Sequence, residues 1–254
     1  LIGPANLYQF GLSPLDEMDQ IADRAWLLGK RRVLIIAPEA GWGHRASEHF
    51  ERTWLERGGA IVSSVRYPAT GSDFSSLLKA PLHIDASETR GVELKRFINS
   101  RLTTRARRRQ DIDLVVMLSY PSIARQIKPA LEFLYAADLP VYASSHIFTG
   151  LARDSLDRDL SGIEFCAMPW MLDGQLATPL SPDPELHTAL QRFYALGYDA
   201  FLVHRELANL QRAVGKQPLF AATGLLSLES GQIKRRTGWA KFDRGRVVAI
   251  DASK

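Results

Sequence analysis

The chain has 254 residues, 46% hydrophobic and 24% charged, with 32 basic against 28 acidic residues and a formal net charge of +4. These values fit a globular protein able to bury a full core as one large domain or two lobes, and the mild basic excess favours anionic partners without requiring nucleic acid. The single Cys166 excludes an intramolecular disulfide and a cysteine metal cluster, and no apolar run reaches the ~18 residues of a membrane span.

Residues 7–12 read as a short apolar strand ended by Ser13-Pro14. Ser13 is placed to cap a helix with Pro14 at its first position and Asp16 and Glu17 in its first turn. Leu15, Met18, Ala22, Ala25 and Trp26 then recur at helical spacing up to a stop at Gly29. A continuous apolar run at 33–37, a helix over about 43–57, the Gly58-Gly59 break and a second apolar run at 61–65 make a βαβ unit. An amphipathic helix at 92–102 (Leu94, Phe97, Ile98), a strand at 114–118, a helix at 122–137 kinked by Pro129 and a strand at 141–143 repeat the rhythm. The expected class is therefore α/β, with strands 33–37, 61–65, 114–118 and 141–143 in one parallel sheet flanked by helices. After Ser145 the rhythm breaks into a longer irregular stretch rich in Gly and Pro, as at a passage between subdomains. Helices at 185–196 and 199–212, joined at Tyr194-Ala195-Leu196-Gly197-Tyr198-Asp199-Ala200, precede a strand at 219–222 and a hairpin around Arg244-Gly245.

Open parallel sheets bind ligands at the carboxyl edge of their strands. By that rule Trp42, after strand 33–37, Tyr120, after strand 114–118, and Ser144, Ser145 and His146, after strand 141–143, converge on one crevice suited to a small polar ligand or a glycan ring. Packing of one lobe on the other is the competing use for the same residues. Gly41-Trp42-Gly43-His44-Arg45-Ala46 fits GxGxxA between a strand and a helix, but Pro38-Glu39-Ala40 separate the glycines from the strand, and Arg66 stands where an acidic ribose ligand is wanted. Ser76-Leu77-Leu78-Lys79 matches SxxK, with Arg236-Thr237-Gly238 downstream, yet no SxN element lies between them and Pro81 cuts the helix short. No catalytic residue is assigned. The six histidines, His44, His49, His83, His146, His187 and His204, show no ligand spacing, so neither a metal nor another cofactor is expected. Arg101, Arg105, Arg107, Arg108 and Arg109 form the one dense basic run, read as a solvated connector or, alternatively, as an anionic contact surface.

The segments 194–200 and Ala222-Thr223-Gly224-Leu225-Leu226-Ser227, with Leu139-Pro140-Val141-Tyr142-Ala143-Ser144-Ser145, Gly162-Ile163-Glu164-Phe165-Cys166-Ala167-Met168-Pro169-Trp170 and Asn6-Leu7-Tyr8-Gln9-Phe10-Gly11-Leu12-Ser13-Pro14, closely resemble the LppC/LpoA type of bacterial outer-membrane lipoprotein nearly end to end. The resemblance implies a two-lobed, type I periplasmic binding-protein-like fold, as in the C-terminal domain of that family, with the first lobe incomplete. Residues 1–12 and 171–217 would belong to the first lobe, and 13–170 and 218–254 to the second. It also implies a non-enzymatic regulator of peptidoglycan synthesis that binds and activates a class A penicillin-binding protein, with peptidoglycan as a further partner. Its place would be the periplasmic side of the outer membrane, with membrane contact only through a lipid anchor outside the chain. In solute-binding relatives of the fold an aromatic in the position of Trp42 lines the interlobe cleft. The alternative function is a periplasmic solute-binding receptor for amino acids, amides or a cell-wall fragment. The start at Leu1, without Met, signal peptide or lipidated Cys, is read as that of an excised fragment.

Overall fold

The computed structural model describes residues 7–68, 73–98, 103–151, 154–172, 188–212 and 218–251. In chain order the elements are α1 (Pro14–Leu27), β1 (Arg32–Pro38), α2 (Gly41–Glu56), β2 (Ala60–Tyr67), α3 (Phe74–Lys79), α4 (Ile84–Ile98), β3 (Leu114–Met117), α5 (Pro121–Phe133), β4 (Val141–Ala143) and β5 (Glu164–Ala167). They continue with α6 (Thr188–Arg212), β6 (Leu219–Phe220), β7 (Leu225–Glu229), β8 (Gln232–Arg236), β9 (Gly238–Asp243) and β10 (Arg246–Ile250).

Seven strands form one sheet in the order β10-β9-β5-β4-β3-β1-β2. The four apolar runs expected to share a parallel sheet do so, and β5 joins them as a fifth parallel strand. The inner strands β1, β3 and β4 are near-continuously apolar because both faces are covered, whereas the edge strand β2 carries Ser63 and an exposed Ser64. On one face α1 and α2 pack Met18, Ile21, Phe50 and Trp54 against Val33, Ile35, Leu114 and Val116. On the other, α3 and α5 pack Leu78, Ile127 and Leu131 against Leu34, Ile36, Val115 and Met117. Ser13 caps α1 as expected, its hydroxyl accepting the Leu15 N–H at 3.2 Å. β9 and β10 add an antiparallel hairpin at the edge, and its turn holds Arg244 and Gly245 at φ of 50° and 90°, the handedness that matches strand twist.

Four expectations need correction. Residues 7–12 do not form a strand; they make a single bridge, in which Gln9 donates to the Gly231 carbonyl and accepts from the Ile233 N–H. The segment 194–200 is no join, because α6 runs unbroken through Gly197. A glycine inside a helix costs only about 1 kcal/mol, and Gln191, Ala195, Asp199 and Val203 form a buried stripe at i, i+4 spacing that holds both halves on one axis. Residues 219–236 do not join the large sheet; β6, β7 and β8 form a separate three-stranded sheet beside α6, where Leu226 and Ile233 pack on Val203. Only 238–250 returns to the large sheet, so the chain from 218 onward is divided between the two sheets rather than kept in one. Finally, the apolar residues of α4 are not covered: Phe97 is 93% exposed, and only Ile84 of that helix is buried.

Candidate functional site

The chain leaves β1 for β2 on one side and returns through α3 and α4 to β3 on the other, so the strand order reverses between the neighbours β1 and β3. Loops diverge at such a reversal and leave a crevice at the carboxyl ends of the strands. Trp42 stands in the first turn of α2, just past the β1–α2 loop, and the β3–α5 loop delivers Tyr120, at the N-cap position before Pro121. The loop after β4 tightens into a 3₁₀ turn, Ser145–Ile147, that carries His146. The three rings meet: Trp42 stacks on His146 with centroids 3.9 Å apart and planes 12° from parallel, and Tyr120 stands edge-on to both at 5.6 and 5.9 Å.

Beneath them lies a buried polar floor. The Glu17 carboxylate, 1% exposed on α1, accepts the Ser145 N–H at 2.8 Å, the Ser145 hydroxyl at 2.7 Å and Arg235 Nη2 from β8 at 3.1 Å. Arg192 from α6 donates to Ser145 Oγ at 3.3 Å and to the carbonyls of Ser145 and Phe148. Gln20 accepts the N–H and hydroxyl of Thr237 and donates to its carbonyl, so α1 and the end of β8 are tied in register. Above the floor opens a cavity of about 520 Å³, walled by Tyr120, His146, Phe148, Met168 and Phe193, with Glu17, Arg192 and Arg235 at its base. Its size is that of a small-molecule site.

Burial, with Arg192 and Arg235 nearby, lowers the His146 pKa to about 4 despite the opposing pull of Glu17, so the imidazole is neutral at pH 7. Burial also lowers the Arg192 pKa, although a guanidinium stays charged. Nε and Nη1 of Arg235 are buried without a hydrogen-bond partner among the described residues.

Of the five residues expected at the crevice, Tyr120, Ser145 and His146 wall the cavity, and Trp42 reaches it through His146. Ser144 is fully buried, its hydroxyl 3.5 Å from His146 Nδ1, and belongs to the packing beneath. Glu17, Arg192 and Arg235 were missed. A signal existed: Glu17, Gln20 and Arg24 share the helix face of Ile21 and Ala25, which marks a buried polar network, and Arg235 shares the inward strand face of Ile233 two residues before it.

The other motifs resolve structurally. Gly43 of GxGxxA lies against Pro38, whose Cγ would stand 2.2 Å from an added Cβ, so the glycine lets the first turn of α2 approach the end of β1. Ser76 donates its hydroxyl to Asp73 Oδ2 at 2.6 Å, a bond that lowers the Asp73 pKa, while Lys79 lies 4.0 Å from Glu88. Thr237, of the downstream triplet, is held by Gln20. Within the basic run Arg101 lies outside the described residues. Arg108 is no solvated connector: it is 7% exposed and tied to Asp138 and the Tyr135 carbonyl, and Arg109 forks onto Asp111 at 2.6 Å. Among the described residues no group of three His, Cys, Asp or Glu side chains could hold a metal ion, and no helix is long and apolar enough to cross a membrane.

The family model described as "LppC putative lipoprotein" matches residues 2–245. A protein of Edwardsiella piscicida named penicillin-binding protein activator LpoA is 26% identical over 260 residues, covering 96% of this chain and 37% of its own length. The protein of that name from Escherichia coli K12 is 24% identical over 264 residues, covering 96% and 38%. Among solved structures, the LpoA C-domain from Haemophilus influenzae, titled a regulator of PBP1A, superposes with a TM-score of 0.67 at 21% identity over 95% of this chain and 68% of that one. A leucine-binding protein from Thermotoga maritima superposes with a TM-score of 0.56 at 16% identity over 94% and 65%. The fold is thus that of the periplasmic binding proteins, and the chain spans little more than a third of the length of the curated relatives it matches.

Proposed function

Because the chain belongs to the LppC family of lipoproteins, we propose that it forms the binding-protein-like C-terminal domain of an activator that binds a class A penicillin-binding protein and stimulates peptidoglycan synthesis without catalysing a step itself. The observation that carries this reading is the end-to-end match to relatives named as penicillin-binding protein activators. The non-enzymatic role is supported by those names and by the engagement of Ser76 with Asp73. Its proposed place is the periplasmic face of the outer membrane, reached through a lipid anchor outside the chain, with peptidoglycan as a second contact. In the same proposal α6 and residues 7–12 belong to a first lobe, β6 to β8 lie with it, and Trp42, Tyr120, Ser144, Ser145 and His146 mark the interlobe cleft. The solute-receptor alternative rests on fold alone and is not favoured.

The test is a pull-down of a class A penicillin-binding protein by the purified chain, followed by glycan polymerisation assayed with and without it. Specific retention with a raised rate is expected. Absence of both, with the chain shown folded, would overturn the activator reading.

A further inference from the structure

The floor of the cavity holds two guanidinium groups, Arg192 and Arg235, against one carboxylate, Glu17. His146, neutral at pH 7, adds no charge. Among the described residues that line the cavity, one positive charge is left without a lining counter-charge; the buried Asp199, which acts on Arg235 from outside the cavity, is engaged by the N–H groups of Ala222 and Thr223, and a buried charge is costly unless paired. The hydrogen bonds of Arg192 go to neutral oxygens, one hydroxyl and two carbonyls, and two nitrogens of Arg235 have no partner among the described residues. Both oxygens of Glu17 are already engaged, Oε2 by the Ser145 N–H and Oε1 by the Ser145 hydroxyl and Arg235. The walls are aromatic and apolar: Tyr120, Phe148, Met168 and Phe193.

We propose that this cleft binds a small organic monocarboxylate whose α-nitrogen is acylated, the carboxylate lying beside Arg192 and Arg235 and the uncharged body against the apolar walls. Guanidinium groups recognise carboxylates through charge-assisted, often paired, hydrogen bonds. A free amino acid fits poorly, because its ammonium would enter a site of like charge whose single acid, among the described lining residues, is fully used. An N-acyl amino acid or the carboxyl end of a short peptide carries the right charge and no ammonium. The inference rests on the reading, given above, that Tyr120, Ser145 and His146 face a ligand cleft. It is independent of the penicillin-binding partner.

Four probes with the same side chain separate the parts of the proposal: N-acetylleucine, leucine, leucinamide and N-acetylleucinamide, each titrated calorimetrically into the whole chain at pH 7. N-acetylleucine is expected to bind about tenfold or more tighter than the other three, the scale of one charge-assisted contact. Arg192→Gln should remove that preference while leaving N-acetylleucinamide unchanged. If that variant does not fold, the wild-type comparison decides alone. Equal binding of leucine would overturn the requirement for acylation, and equal binding of N-acetylleucinamide would overturn the charge assignment, in both cases with the cleft still occupied. No binding by any probe at millimolar concentration would overturn both this inference and the cleft reading.

Discussion

Glu17 keeps its charge out of water because three donors converge on it, two from Ser145 and one from Arg235, and the pair Glu17–Arg235 is almost wholly enclosed on both sides. Neutralising one member leaves the other as a buried charge with little to answer it, so Glu17→Gln should cost about 3–5 kcal/mol in urea denaturation. His146 gives a pH signature at the same place. Its folded pKa of about 4 lies below the ordinary 6.5 because burial favours the neutral ring, with Arg192 and Arg235 reinforcing and Glu17 opposing. The stability it contributes is complete above pH 6.5 and is lost as pH falls from 6.5 towards 4, by at most about 1.4 kcal/mol per pH unit. The difference in unfolding free energy between wild type and His146→Gln should therefore shrink across that window, and a constant difference would show that the ring titrates normally. Ser76, tied to Asp73, should behave as an ordinary alcohol. Incubation with a labelled β-lactam is expected to leave the intact mass unchanged, and stoichiometric labelling lost in Ser76→Ala would overturn the non-enzymatic reading.

Elements differed in how far they could be read before folding. The apolar runs at 33–37, 114–118 and 141–143 were legible because burial on both faces demands a continuous apolar stretch bounded by turn residues, whereas the edge strand at 61–65, with Ser63 and Ser64 and only Val65 buried, was legible from the Gly58-Gly59 break before it. α1 was legible because its cap, first-turn acids and terminal glycine agree. α6 was not: Gly197 looks like a break, and only the tertiary stripe through Ala195 and Asp199 shows why the helix continues, Asp199 accepting the N–H groups of Ala222 and Thr223 at 2.8 and 2.7 Å. The turn it anchors uses Gly224 at φ 145°, where an added Cβ would stand 2.4 Å from the Arg236 carbonyl oxygen. The carboxyl-edge rule found the aromatic rim of the cleft but not its charged floor, since Glu17, Arg192 and Arg235 come from elements distant in sequence and meet only through packing of α1, α6 and β8. Gly43→Ala tests the packing of the first turn of α2 on the end of β1: the clash with Pro38 should destabilise by about 1–3 kcal/mol in thermal unfolding. On the exposed face of α4, Phe97→Ser should change stability by less than about 0.5 kcal/mol.

At the scale of the whole molecule, the large sheet is finished by residues from near the end of the chain. Phe165, Cys166 and Ala167 of β5 find their outer partners in Ala240, Trp239 and Gly238, and Arg24 of the first helix lies over the Trp239 ring at 4.7 Å. During synthesis on a ribosome, β5 is made some seventy residues before the strand that covers it, and a strand waiting with an open edge invites pairing with another chain. The nascent molecule therefore passes through a stage in which a nearly complete parallel sheet has one unprotected side. Cys166 reports on that stage, because it is fully enclosed in the finished sheet and burial raises its thiol pKa well above the ordinary value. A chain ended after Thr237 should react with iodoacetamide at Cys166 much faster than the full chain and should associate through the bared edge of β5. Equal labelling rates would mean that the sheet closes without its last hairpin.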